Sequence, residues 1–112
     1  MRAESLKGHL DGLLLACLEP GPRHGYAVIE ALREASGGQL DLPTGTVYPA
    51  LHRLEAARLI NGRWSVADGR QRRTYQLTAK GRRALSSERA DWRAFSAMIS
   101  TALDGQPWRN PA

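Results

Sequence analysis

Between Thr44 and Ala57 the apolar residues Val47, Ala50, Leu51, Leu54 and Ala57 follow helical spacing, which predicts a short helix with one buried face. Tyr48, Pro49, His52 and Arg53 fall on the outward side. Either Thr44 or Thr46 can cap its start. With Thr46 as the cap, Pro49 costs little, because the first backbone N–H groups of a helix have no partner inside it. Those free N–H groups, two Thr hydroxyls, the Tyr48 hydroxyl and the positive end of the helix dipole together suit a phosphate. This is the pattern of a recognition helix.

Upstream, Leu6, Leu10, Leu13, Leu14, Cys17 and Leu18 recur at helical spacing. They predict a helix capped by Ser5 and stopped by Pro20-Gly21-Pro22. Leu15 falls off that stripe and is expected on the outer side, free to face a partner subunit. A second helix is expected from His24 to Ala35, with Tyr26, Ile29 and Leu32 as its apolar row and Ser36-Gly37-Gly38 as its end. Leu40 to Leu42 reads as a short extended connector. Helix, turn, helix, connector, helix is the order of a tri-helical helix-turn-helix unit.

After Leu59 the period changes to alternation. Ile60, Trp64 and Val66 share one side of a strand, Asp68-Gly69 makes a turn, and Arg73, Tyr75 and Leu77 mark a returning strand. Trp64 is expected to pack within this hairpin. Its tip, with Arg70, Gln71, Arg72 and Arg73, reads as a basic wing. The predicted fold class is therefore mainly α with a small β-hairpin: a winged helix-turn-helix over residues 1–78, followed by a long C-terminal helix over residues 79–105. The last helix, capped by Thr78, carries Leu85, Trp92, Phe95, Ile99 and Ala102 at steps of seven, three, four and three, a coiled-coil seam with Glu88 as its polar member. No compact domain of this size covers such a helix along its length, so pairing with a second copy into a two-fold homodimer is expected. Residues 106–112, with two prolines and no periodicity, are expected to be disordered.

The chain has 112 residues, with 16 Lys and Arg against 11 Asp and Glu. A single domain of that length buries roughly 65% of its unfolded surface. The charge is unevenly placed: from Ala56 to Ser87 eight basic residues face one acid, Asp68. That distribution favours a polyanionic partner. The longest apolar run, Leu13 to Leu18, is far short of the ~20 residues of a membrane helix, and no signal-peptide pattern opens the chain. A cytoplasmic protein without membrane attachment is expected, and the lone Cys17 fits a reducing compartment. No phosphate loop, dinucleotide fingerprint, nucleophile elbow or two-cysteine metal spacing occurs, so neither an enzyme nor a resident cofactor is expected. Cys17 with His9 can be imagined on a soft metal, but a buried structural thiol is the stronger reading, and no metal site is assigned.

The stretches Leu10-Asp11-Gly12-Leu13-Leu14-Leu15, His24-Gly25-Tyr26-Ala27-Val28-Ile29, Gly45-Thr46-Val47-Tyr48-Pro49-Ala50-Leu51 with Arg53-Leu54-Glu55, and Arg72-Arg73-Thr74-Tyr75-Gln76-Leu77-Thr78 with Gly81 resemble PadR-type transcriptional regulators of the smaller architectural type. The resemblance implies a dimeric winged-helix repressor on a palindromic operator in double-stranded DNA, released by a small-molecule effector. On that reading Thr44, Thr46, Tyr48, Pro49 and His52 meet phosphates or base edges, Arg53 holds backbone, and Arg70, Arg72 and Arg73 follow phosphates or enter the minor groove. Trp92 matches the tryptophan that, in multidrug-sensing relatives, stacks planar aromatic ligands at the dimer interface. Arg89, Leu85 and Leu15 are the candidate contacts beside it. The chain departs from the family at Arg58, where a helix-ending glycine is usual. Arg89 also brings a charge where a drug pore favours an apolar residue, which points to a narrower pocket, none, or one tuned to an anion. The alternative class is a metal or ligand sensor that uses the winged fold without reading DNA sequence.

Overall fold

The computed structural model describes residue 6 and residues 8–105. Its elements are α1 (Leu10–Leu18), β1 (Arg23–His24), α2 (Gly25–Ala35), α3 (Thr44–Ala56), β2 (Ile60–Ala67), β3 (Arg70–Leu77) and α4 (Ala79–Leu103). The three strands form one antiparallel sheet in the order β1-β3-β2. Among the described residues these four helices, the last of them long, and the small sheet make up the winged-helix arrangement. The cap assigned to Ser5 and the tail 106–112 lie outside the described residues.

One core holds the unit together. Leu14 and Leu18 of α1, Val28, Ile29 and Leu32 of α2, and Val47, Ala50, Leu51 and Leu54 of α3 meet Ile60, Tyr75, Leu77 and Leu85 from the strands and α4. Each large apolar side chain buried this way contributes about 1.5–3 kcal/mol. Leu15 belongs to the same core at 2% exposure, which corrects its expected outward position. The reason is geometric: α1 is packed by α2, α3, β3 and α4, so more than one of its sides is covered. α1 also starts later than its apolar spacing suggested, at Leu10, after Gly8 turns the chain at φ +87°.

α2 is capped by the His24 side chain, whose Nδ1 accepts the Ala27 N–H at 3.3 Å. Its buried row is Gly25, Val28, Ile29 and Leu32, and Tyr26 is exposed instead of belonging to it. β1 was not anticipated. Arg23 and His24 pair with Tyr75 and Thr74, adding a third strand to the expected hairpin. The Asp68-Gly69 turn holds as read, with both residues at positive φ (52° and 73°), the geometry of a two-residue hairpin turn.

The end of α3 is closed by paired capping bonds. The Leu59 N–H reaches the Leu54 carbonyl at 3.0 Å and the Arg58 N–H reaches that of Glu55 at 2.9 Å, with Arg58 at φ +62° between them. Arg58 thus takes the left-handed conformation that favours glycine, and a side chain there is strained by roughly 1–2 kcal/mol. Arg58→Gly is therefore expected to stabilise the chain by about 1 kcal/mol, read as a higher urea midpoint at unchanged slope. A midpoint that fell would show the turn to be unstrained.

Thr78 joins α3 to α4. Its hydroxyl donates to the Arg58 carbonyl at 2.7 Å and accepts the Gly81 N–H at 3.0 Å as the N-cap of α4. Lys80 adds a donor to the Ala57 carbonyl at 3.1 Å, placing a cation on the negative end of α3. Beyond Leu85, α4 leaves the core and runs on to Leu103, in a molecule 72 Å long and 28 by 21 Å across. Among the described residues no helix is long and apolar enough to cross a membrane.

Candidate nucleic-acid interface

The outward face of α3 carries Thr44, Gly45, Thr46, Pro49, His52 and Arg53, all exposed, and no carboxylate occurs between Thr44 and Arg53. Neither Thr is the cap. The N-cap is Pro43, whose carbonyl accepts the N–H groups of Thr46 and Val47 at 3.0 and 3.1 Å. Pro49 consequently lies deeper in the helix than a Thr46 cap implied, and it cannot donate to the Gly45 carbonyl. Both residues face water, so that carbonyl remains an available acceptor. Tyr48 is half-buried, contrary to the sequence reading. Its ring fills the space beside Gly25, where a Cβ would come within 2.2 Å of Cε1. Gly25 is glycine so that α2 and α3 can close over this ring.

Two of the arginines expected to be free are engaged. Arg53 Nη2 binds Asp11 Oδ1 on α1 at 2.7 Å, although its side chain stays 60% exposed. Arg73 Nη2 binds Glu55 Oε2 on α3, and the same carboxylate oxygen accepts the Gly62 N–H at 3.1 Å. Arg73 is also not at the hairpin tip: it stands opposite Trp64, whereas the turn lies between Ala67 and Arg70. Arg72 is likewise a strand residue, its Nη1 3.1 Å from His24 Nε2. A guanidinium only donates and a neutral imidazole offers one acceptor nitrogen, so Ala27 and Arg72 compete for a single lone pair of His24. Arg63 and Arg70 stay exposed on the hairpin. Trp64 does not pack inside it, being 66% exposed.

A cavity of about 430 Å³ opens between α1 and α4, lined by Gly12, Leu13, Leu85, Arg89 and Trp92 among others. Leu15 is not among them, since it points into the core. Arg89 is paired with Glu19 through two bonds of 2.8 and 2.9 Å, which hold the Glu19 carboxyl below the usual carboxylate range and raise Arg89. Its charge is thus already answered within the chain. His9 meets the edge of Trp92 with ring centroids 5.3 Å apart. Trp92 at the cavity's edge and, past it, Phe95, Met98, Ile99 and Leu103 lie exposed along α4. The Cys17 thiol donates to the Val28 carbonyl at 3.8 Å, and burial pushes its pKa up, as for a structural thiol. Among the described residues no group of three or more His, Cys, Asp or Glu is gathered to hold a metal.

An outward helix seated in a tri-helical unit, beside a basic two-stranded hairpin, defines a winged helix-turn-helix protein. The profile described as "Transcriptional regulator PadR-like family" matches residues 14–87, and the chain belongs to that family, one of transcriptional regulators rather than enzymes. It is 40% identical over 84 residues to transcriptional regulator Rv3488 of Mycobacterium tuberculosis, covering 75% of this chain and 63% of that protein. Among solved structures, a PadR-like transcriptional regulator from Bacillus cereus superposes with a TM-score of 0.80 at 27% identity, covering 93% of this chain and all of the other. Bacillus subtilis PadR in complex with operator DNA superposes with a TM-score of 0.65 at 23% identity, over 71% of this chain and 46% of that one, a likeness of fold.

Proposed function

We propose that the chain is a sequence-specific DNA-binding repressor that acts as a homodimer on a palindromic operator and is released by a small-molecule effector. The observation that carries this reading is the carboxylate-free outward face of α3 beside the exposed hairpin arginines Arg63 and Arg70. Thr44, Thr46, Pro49 and His52 face base edges and phosphates of the major groove, with Tyr48 reaching them by its hydroxyl rim. Arg53 exchanges Asp11 for a phosphate. Arg70 and Arg72 follow the backbone from the hairpin. The operator reading is supported by membership of the family and by its DNA-bound structural neighbour.

Dimerisation through Trp92, Phe95, Ile99 and Ala102 is supported by the apolar strip that α4 leaves in water, whereas Leu85, expected in the same seam, is buried in the chain's own core because the first turns of α4 pack there. Two-fold pairing sets half-sites about one helical turn apart, ~34–36 Å. The effector enters the cavity beside Trp92, where a flat aromatic molecule has an indole to stack on. Because Glu19 already pairs Arg89, the site does not select an anion.

Counterion release gives the test. Binding of a duplex selected from genomic fragments, titrated at several salt concentrations, is expected to weaken with a log–log slope of about −0.9 for each phosphate neutralised. A slope near zero would sink the DNA reading.

A further inference from the structure

Trp64 is the large side chain that the fold leaves most conspicuously unused near the outward surface. It is 66% exposed, and Val66, on the same face of β2, is 71% exposed. An indole in water is unfavourable, yet this one is held in place. The Arg73 guanidinium carbon lies 5.5 Å from the Trp64 ring centroid, on the directly opposing residue of β3. Arg73 is in turn fixed by Glu55 on α3. Gly62 leaves room for this arrangement, since a Cβ there would come within 2.7 Å of Arg73 Nε. Glu55, Arg73 and Trp64 thus form a rail from the last turns of α3 to the indole, so the ring keeps a set position relative to the outward face of that helix.

The surroundings restrict what can cover it. Arg63 and Arg70, both exposed, alternate onto the opposite face of the same hairpin, where Arg63 stands opposite Thr74 and Arg70 opposite Ala67. A narrow ribbon with an apolar face backed by a cationic one fits a polyanion with apolar edges, which is the wall of a nucleic-acid minor groove: deoxyribose and base edges between two phosphate rows.

We propose that Trp64, assisted by Val66, is an apolar minor-groove contact of the hairpin, with Arg73 as the positioning residue that holds the indole and not a phosphate contact. This rests on the DNA-binding reading. Because the contact is uncharged, it adds affinity without releasing counterions, which separates it from the arginines.

The test uses the full chain and a fluorescent duplex selected from random-sequence DNA by the unmodified protein. Trp64→Ala is expected to weaken binding about tenfold, the scale of an aromatic ring stacked on nucleic acid, with the salt slope unchanged. Trp64→Phe is expected to recover most of that loss, and Arg70→Ala to flatten the slope by about 0.9. Glu55→Gln, which loosens the rail, is expected to weaken binding by a smaller factor at constant slope. In the unmodified chain, the duplex is expected to shield from acrylamide the share of tryptophan emission that Trp64→Phe removes, a readout that does not require Trp64→Ala to fold. Affinity of Trp64→Ala within twofold of the unmodified chain, or unchanged acrylamide access, overturns the proposal while leaving DNA binding intact. If the unmodified chain selects no duplex, the DNA-binding reading itself fails and this contact with it.

Discussion

Gly81→Ala is expected to lower the stability of the chain by about 3 kcal/mol, enough to bring the thermal midpoint down by roughly 15 °C. Gly81 sits in the first turn of α4, where an added Cβ would lie 1.9 Å from the Leu59 carbonyl oxygen and 3.0 Å from its carbon. That oxygen is main chain and accepts the Thr78 N–H at 3.1 Å, so it cannot swing aside as a flexible side chain does. The Gly81 N–H is meanwhile tied to the Thr78 hydroxyl, and relief requires either the cap or the strand end to move. Circular dichroism melts at one protein concentration provide the measurement, with Gly45→Ala as control, because nothing lies within 4 Å of a Cβ at that exposed helical site. A Gly81→Ala midpoint within a few degrees of the unmodified chain's would mean the junction has slack that the geometry does not show.

Glutamate in place of Phe95 is expected to leave the single chain folded and to abolish its pairing. Phe95 is 51% exposed and its ring lies 6.1 Å from that of Trp92, so one copy loses little by the change. In a two-fold seam the same substitution places two carboxylates in an apolar contact with nothing to neutralise them, a cost of several kcal/mol. Sedimentation at micromolar concentration is expected to report the mass of one chain for Phe95→Glu and of two for the unmodified protein. Affinity for a palindromic duplex is expected to fall by two orders of magnitude or more as the half-sites are bound separately. A variant that sediments unchanged would remove α4 from the interface.

The helices were legible because each buries one face, and a buried face repeats with the turn of the helix. The spacing of Val47, Ala50, Leu51 and Leu54 is therefore visible without coordinates. Alternation likewise revealed the hairpin, but it says only which residues share a side, not whether anything covers that side. Trp64 and Ile60 are in phase, and one is exposed while the other is buried because β2 runs out past the core. β1 was invisible since two residues have no period. Leu15 was misplaced because a helix enclosed by several neighbours buries more than one stripe.

The arginines show the limit most plainly. Arg53 and Arg73 look as free as Arg70 in a list of charges, yet their partners Asp11 and Glu55 stand 42 and 18 positions away. Charge counts locate a basic region, whereas the division of its cations between internal struts and solvent depends on packing. The strained turn at Arg58 was readable only against relatives, since Arg alone says nothing of φ. The cavity between α1 and α4 could not be read from spacing, because its walls come from opposite ends of the chain; its Leu85, Arg89 and Trp92 were named only through the family resemblance.

The single residue Thr78 begins α4 and, through its hydroxyl, ties that start to the Arg58 carbonyl just past the end of α3. Were it replaced by a longer linker the start of α4 would loosen, but as built this joint, with Lys80 on Ala57 and Arg89 on Glu19, fixes the inclination of the protruding arm to the outward surface. In a pair of chains clasped along those arms, as proposed, the gap between the two surfaces would behave like the opening of a caliper with its screw tightened, so such a pair is expected to accept targets of one pitch and not to stretch to others.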